Sequence, residues 1–220
     1  MLLGTSLKMK FRLSSKIFVL SIFSLLFSSC AFESIKRSKN IVYQEATAKS
    51  EKQELNIFAP RKPAVLKDVF IFVHGGSWKS GKKSQYNFFG SRMARKDVVV
   101  AILDYPLSPK ATYHDMAGAV ANGVLWVSKN IQKYGGNPEK IFISGHSAGG
   151  HLAALVAVRK EYFDSLGTTS PIKGLVLIDA AGMDMYGYLK EEKFPDDHSY
   201  LNTFTHEKLA GSITAVSLAF

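Results

Sequence analysis

The stretch IFISGHSAGGHLAALVAV, from Ile141 to Val158, constrains the fold more than any other part of the chain. Ile141–Ser144 suits a buried strand, and it runs into G-H-S-A-G-G at 145–150. An apolar, alanine-rich segment follows at once, with helical character from Ala148 to Arg159. The chain must therefore turn from strand to helix within two or three residues, with Ser147 at the bend. Such a bend demands unusual backbone angles. Gly145 and Gly149 leave room where side chains would strike the neighbouring strand and helix. The free N–H groups at the helix start point toward the serine oxygen and favour negative charge there. Ser147 is thus a candidate nucleophile. A hydroxyl needs an oriented base before it attacks, so the remaining question is which residue takes its proton.

The rest of the pattern alternates in type. Ile41–Gln44 and Glu54–Phe58 read as short strands around a polar turn, Ala48–Gln53. Asp68–Val73 (DVFIFV) and Val98–Leu103 (VVVAIL) are nearly continuous apolar runs, as strands buried on both faces are. Ser84–Arg95 carries Tyr86, Phe89 and Met93 at helical spacing. Tyr113–Asn130 carries Met116, Val120, Val124 and Val127 in the same way. Tyr134–Pro138 (YGGNP) reads as a turn, and Leu175–Asp179 as a further strand. Buried strands alternating with helices predict an α/β fold, a mostly parallel sheet with helices on both faces. Residues 41–220 are expected to form this one domain.

A second motif lies directly after DVFIFV: His74-Gly75-Gly76-Ser77-Trp78. A glycine-rich loop at a strand end exposes backbone N–H groups that can meet a developing oxyanion. The expected donors are the amides of Gly76, Ser77 and, from the bend, Ala148. Taken together, HGGSW, LDYPLSP, YGGNPEKIFISGHSAGGHLAAL and KGLVLIDAAG resemble the α/β-hydrolase superfamily. The resemblance is to esterases of the hormone-sensitive-lipase, kynurenine-formamidase and feruloyl/acetyl-xylan-esterase (BD-FAE-like) kind. It runs from about Ile41 to Gly182. It implies a serine hydrolase acting on small or polysaccharide-linked acyl esters, with Ser147 as nucleophile and no metal or cofactor. Many relatives have arginine in place of Pro106 within LDYPLSP. Asp104 of that motif is expected to hydrogen-bond at a strand end.

The resemblance also implies a triad acid and histidine downstream of Ser147. Only one clear strand follows, and no H-G-x-x-D segment does. Asp179 and Asp184 are the candidate acids; His198 and His206 are the candidate bases by chain order. His74 is expected to brace the loop, His146 to point away from the bend, His151 to pack between helix and sheet, and His114 to lie at the surface or cap a helix. The alternative is a chain cut short of its last strands, an inactive hydrolase-fold protein. Leu175–Asp179 would then be an exposed apolar edge, with SITAVSLAF at 212–220 available to cover it.

Charge and the single cysteine bear on location. The formal charge is +10, but Lys8, Lys10, Arg12 and Lys16 all precede the apolar run Ile17–Phe27. That run suits a secretory h-region and is too short for an ordinary membrane-spanning helix. Met9 also opens a basic n-region. F-S-S-C, ending at Cys30, resembles a bacterial lipoprotein box, with Phe27 where leucine is usual. Residues 1–30 are expected to be a lipoprotein-type signal and 31–40 a tether, giving an exported protein anchored to a membrane through lipid on Cys30. Lys79, Lys82 and Lys83 read as a solvated basic group. The charge left after the signal is modest for nucleic-acid binding, so no nucleic-acid partner is expected.

Overall fold

The computed structural model describes residues 35–47, 51–185, 200 and 203–204. The expected signal segment with Cys30, the candidate bases His198 and His206, and SITAVSLAF lie outside the described residues. DVFIFV and VVVAIL become β3 (Lys67–Val73) and β4 (Val99–Leu103), the centre of one sheet. With β1 (Ile35–Gln44), β2 (Gln53–Pro60), β5 (Gly136–His146) and β6 (Ile172–Ile178), the order is β1-β2-β4-β3-β5-β6. The first two strands pair antiparallel, and β2 runs antiparallel to β4. The pairs β3–β4, β3–β5 and β5–β6 are parallel.

Alternate strand residues feed two cores, as the pleat requires. Val69, Ile71 and Val73 face the larger core with α2 (Tyr113–Asn130) and α3 (Ala148–Val158). Phe70 and Phe72 face the smaller one, where Tyr86, Phe89 and Met93 pack. Tyr113–Asn130 matches its predicted limits. Thr112 caps it, its hydroxyl accepting from the Asp115 N–H while the Asp115 carboxylate accepts from the Thr112 N–H at 2.9 Å. Such a reciprocal cap satisfies two otherwise orphan donors.

Four expectations are corrected. The tether at 31–40 gives way at Ile35 to β1, because its small and polar residues pair with β2 from Ile35↔Pro60 onward. The helix expected over Ser84–Arg95 is a 3-10 turn at Lys83–Tyr86 followed by α1 (Asn87–Ala94). In YGGNP only Gly135 is left-handed, with φ 84°, and β5 already starts at Gly136. A short helix, α4 (Glu161–Asp164), buries Tyr162 and Phe163 where no element was expected. Among the described residues β6 is an outer strand, and Val176 (45% exposed), Leu177 and Ile178 are its exposed apolar side chains.

The parallel register sets the site. Val73 pairs with Leu103 on one side and Gly145 on the other, and His146 pairs with Ile178. The residues that follow, Asp104, His74, Ser147 and Asp179, therefore emerge in a row at one end of the sheet. The chain order reverses between β3 and β5, so the crevice there is the expected ligand position in such a sheet. A Cβ placed on Gly149 would lie 2.3 Å from the carbonyl oxygens of both Val73 and His74. Backbone cannot yield as a flexible side chain can. Gly149→Ala is expected to cost at least about 2 kcal/mol in urea unfolding, as severe overpacking does.

Candidate active site

Ser147 occupies the turn between β5 and α3 with φ 53° and ψ −124°, a conformation that L-residues rarely adopt. Strain of this kind costs on the order of 1–3 kcal/mol and persists only where the surroundings enforce it. They do so here. The Ser147 N–H donates to the carbonyls of Ile178 and Asp179, both at 3.1 Å, and the Ser147 carbonyl accepts from the Ala181 N–H at 3.1 Å. The Gly150 and His151 N–H groups also donate to that carbonyl, at 2.9 and 3.3 Å. The bend is thereby stitched both to its own helix and to the segment after β6. Ser147 itself is half-buried.

The glycine-rich loop lies against this bend. A Cβ on Gly75 would approach the Ser147 Cβ to 3.1 Å and the His146 carbonyl oxygen to 2.8 Å. The loop backbone is unusual throughout: Gly76, Ser77, Trp78 and Gly81 have φ of 134°, 51°, 60° and 99°. The Gly76 carbonyl accepts from the N–H groups of Lys79 (3.0 Å) and Ser80 (2.9 Å). Trp78 turns inward and is buried, whereas Ser77 is exposed. Ala148 adjoins Ser147 in the chain, and Gly76 and Ser77 directly follow the Gly75 contact at the same end of the sheet.

The segment after β4 holds this loop in three places. The Tyr105 hydroxyl donates to the His74 carbonyl at 2.9 Å. The Ser108 N–H donates to the Trp78 carbonyl at 2.9 Å. The Asp104 carboxylate takes two donors from one residue, the Lys83 N–H at 2.5 Å and the Lys83 ammonium at 2.6 Å. Glu54 accepts from the same ammonium at 3.1 Å and meets Lys52 at 2.9 Å. Lys83 is therefore no solvated cation, and that expectation is corrected: its side chain is 10% exposed. Burial alone would lower its pKa. The bond to and charge of Asp104, then those of Glu54, outweigh burial and hold it above the usual lysine value. Sequence reasoning missed this pair. No local signal marks it, because Lys83 and Asp104 are 21 residues apart in the chain.

Each described histidine has a place, and none hydrogen-bonds the Ser147 hydroxyl. His74 is buried, stacks on Tyr105 with ring centroids 4.3 Å apart, and bonds the Gly75 carbonyl at 2.9 Å. A carbonyl only accepts, so Nδ1 carries a proton, and Nε2 lies 3.6 Å from the Asp104 carboxylate. Burial is the main cause of its lowered pKa. His146 Nδ1 meets the Tyr86 hydroxyl at 3.0 Å, away from the serine as expected. His114 is exposed, and its Nδ1 meets the Tyr162 hydroxyl at 3.1 Å. His151 is fully buried against Trp78, Tyr113 and Phe204. Neither of its ring nitrogens has a partner among the described residues. Of the candidate acids, Asp179 is exposed at the end of β6 with φ 44°, joined to Ser147 through its carbonyl, and Asp184 is exposed further on. A groove of about 1610 Å³ opens at the same end of the sheet. Asp104, Tyr105, His114, Asp115, Asn122 and Tyr162 are among the residues lining it.

The family profile described as BD-FAE matches residues 55–203, more than half of the chain. The chain belongs to the BD-FAE family. It is 36% identical over 116 residues to the isoprenylcysteine alpha-carbonyl methylesterase ICME of Arabidopsis thaliana, covering 53% of this chain and 26% of that protein. It is 30% identical over 139 residues to the kynurenine formamidase of Salmo salar, covering 63% of this chain and 44% of that protein. The chain thus spans between a quarter and a half of these relatives. Esterase B from Lactobacillus rhamnosis shares the fold with a TM-score of 0.60 at 18% identity, over 94% of this chain and 66% of that one. The architecture is the α/β-hydrolase fold of esterases, as the motifs predict.

His151 yields a pH prediction. An unfolded histidine titrates near about 6.5, whereas burial lowers His151 to about 4. Between these values the unfolded chain binds a proton that the folded chain refuses. This contribution is therefore complete above the unfolded value and is lost as pH falls toward the folded one. His74, lowered by burial, acts in the same direction. Urea unfolding at pH 7.5 and pH 5 is expected to show that His151→Leu narrows the pH difference by about 1–2 kcal/mol.

Proposed function

We propose that this protein is a serine hydrolase that cleaves carboxylic esters through an acyl-enzyme on Ser147. The observation that carries the reading is the enforced backbone of Ser147 with the glycine-rich loop pressed against it at Gly75. In this reading the Ser147 hydroxyl loses its proton to a base as its oxygen bonds the ester carbonyl carbon. The carbonyl oxygen becomes an oxyanion that accepts hydrogen bonds from the amides of Gly76, Ser77 and Ala148. Its collapse breaks the bond to the alcohol oxygen, which leaves with the proton from the base. Water then adds to the acyl-enzyme with the same base assisting, and the acid product departs.

We assign the base to His198 or His206 and the orienting acid to Asp179 or Asp184. Chain order supports this assignment, as does the seat of Asp179 at the strand end beside the bend. Small acyl esters and polysaccharide-linked acyl esters are the proposed substrates; the methylesterase relative supports an ester substrate. The basic and apolar start of the chain and F-S-S-C support export and a lipid anchor on Cys30.

The second reading is a hydrolase-fold protein without turnover. Hydrolysis of p-nitrophenyl acetate by the folded chain separates the two. The esterase reading expects turnover that falls at least about 10⁴-fold in Ser147→Ala, as nucleophile removal does. Turnover retained in that variant refutes it, and folded protein without turnover supports the second reading.

A further inference from the structure

We propose that Lys83 is a positioning residue for the oxyanion loop, acting through the Asp104 carboxylate. The inference rests on the reading of Ser147 as an acyl-transfer nucleophile. The loop from His74 to Lys83 has four residues with left-handed backbone, two of them, Ser77 and Trp78, not glycine. Such a loop does not hold its shape alone. Its start is tied by Tyr105, its middle by Ser108 and its exit by Asp104, all three on one short segment after β4.

The exit tie differs in kind from the other two. Tyr105 and Ser108 each supply one neutral hydrogen bond. Asp104 binds the Lys83 backbone and the Lys83 ammonium together, so one carboxylate fixes both the position and the direction of the chain leaving the loop. Charge-assisted bonds of this length are roughly twice as strong as neutral ones. The same carboxylate faces the His74 ring at 3.6 Å, at the entry to the loop. Gly81 closes the ring: a Cβ there would lie 2.2 Å from the Gly75 carbonyl oxygen and 2.6 Å from His74 Nδ1. Oxyanion donors act only when held in advance where charge will develop. Freeing the exit lets the amides of Gly76 and Ser77 drift without touching the substrate-binding groups.

The test compares the full chain with Lys83→Met, which keeps the stem and removes the charge, and with Asp104→Asn in case the first does not fold. Two readouts are taken. Amide hydrogen exchange of the 74–83 peptide is expected to speed at least tenfold, while β3 and β5 peptides are unchanged. Inactivation by a fluorophosphonate is expected to slow in its maximal rate by about 10- to 100-fold, short of the loss from deleting an oxyanion donor. Its half-saturation concentration should stay within twofold. Unchanged loop exchange overturns the proposal, and so does exchange raised equally in every peptide, which marks a general structural role. Faster loop exchange with an unaltered maximal rate also overturns it. Absence of Ser147-dependent labelling in the folded wild-type chain refutes the hydrolase reading instead. In that case the loop exchange alone decides whether Lys83 holds the loop.

Discussion

The site depends on one steric constraint: the start of α3 passes so close to the end of β3 that only glycine fits at 149. The carbonyls of Val73 and His74 fill the space a Cβ would need. This contact fixes how sharply the chain turns after β5, and so fixes Ser147 in its strained conformation. It also places the glycine-rich loop, since His74 is both the wall against which Gly149 packs and the first residue of that loop. Ser147 and the entry of the loop are thereby positioned by one backbone contact.

A second layer of constraint is electrostatic. Lys83, Asp104 and Glu54 form a largely buried cluster at the end of β4, with Lys52 at its outer edge. Solvent reaches the carboxylates of this cluster and screens their charges, so the pairs contribute little net stability. Its energetic value is thus a weak reason for its presence. Its geometry is a better one, because it ties the loop exit to the strand that also carries Tyr105 and Ser108. The cores on the two faces of the sheet supply the rigidity against which both constraints act.

The central strands, α2, the bend at Ser147 and the loop at Gly75 were legible because each has a strong local cause. Continuous apolar runs mark strands covered on both faces, and glycine at a strand end marks a close approach. The inward turn of His151 and the outward turn of His146 also followed from helix and strand geometry. Lys83 was not legible. A lysine among lysines looks solvated until the fold places a carboxylate 2.6 Å from it, and Asp104 is 21 residues away. The first strand was hidden for a related reason: IKRSKN has little apolar signal, and its pairing with β2 comes from backbone bonds at a sheet edge. The acid and base rest on chain order as proposals, because Asp179, Asp184, His198 and His206 all follow Ser147 in the sequence.

The most direct test is peptide mapping by mass spectrometry after brief treatment of the folded chain with a fluorophosphonate. Circular dichroism before and after treatment confirms that the fold is intact. A single adduct on Ser147 is the predicted result, because only a serine activated by a neighbouring base reacts quickly at neutral pH. Folded protein that carries no adduct, or an adduct elsewhere with Ser147 unmodified, would contradict the account.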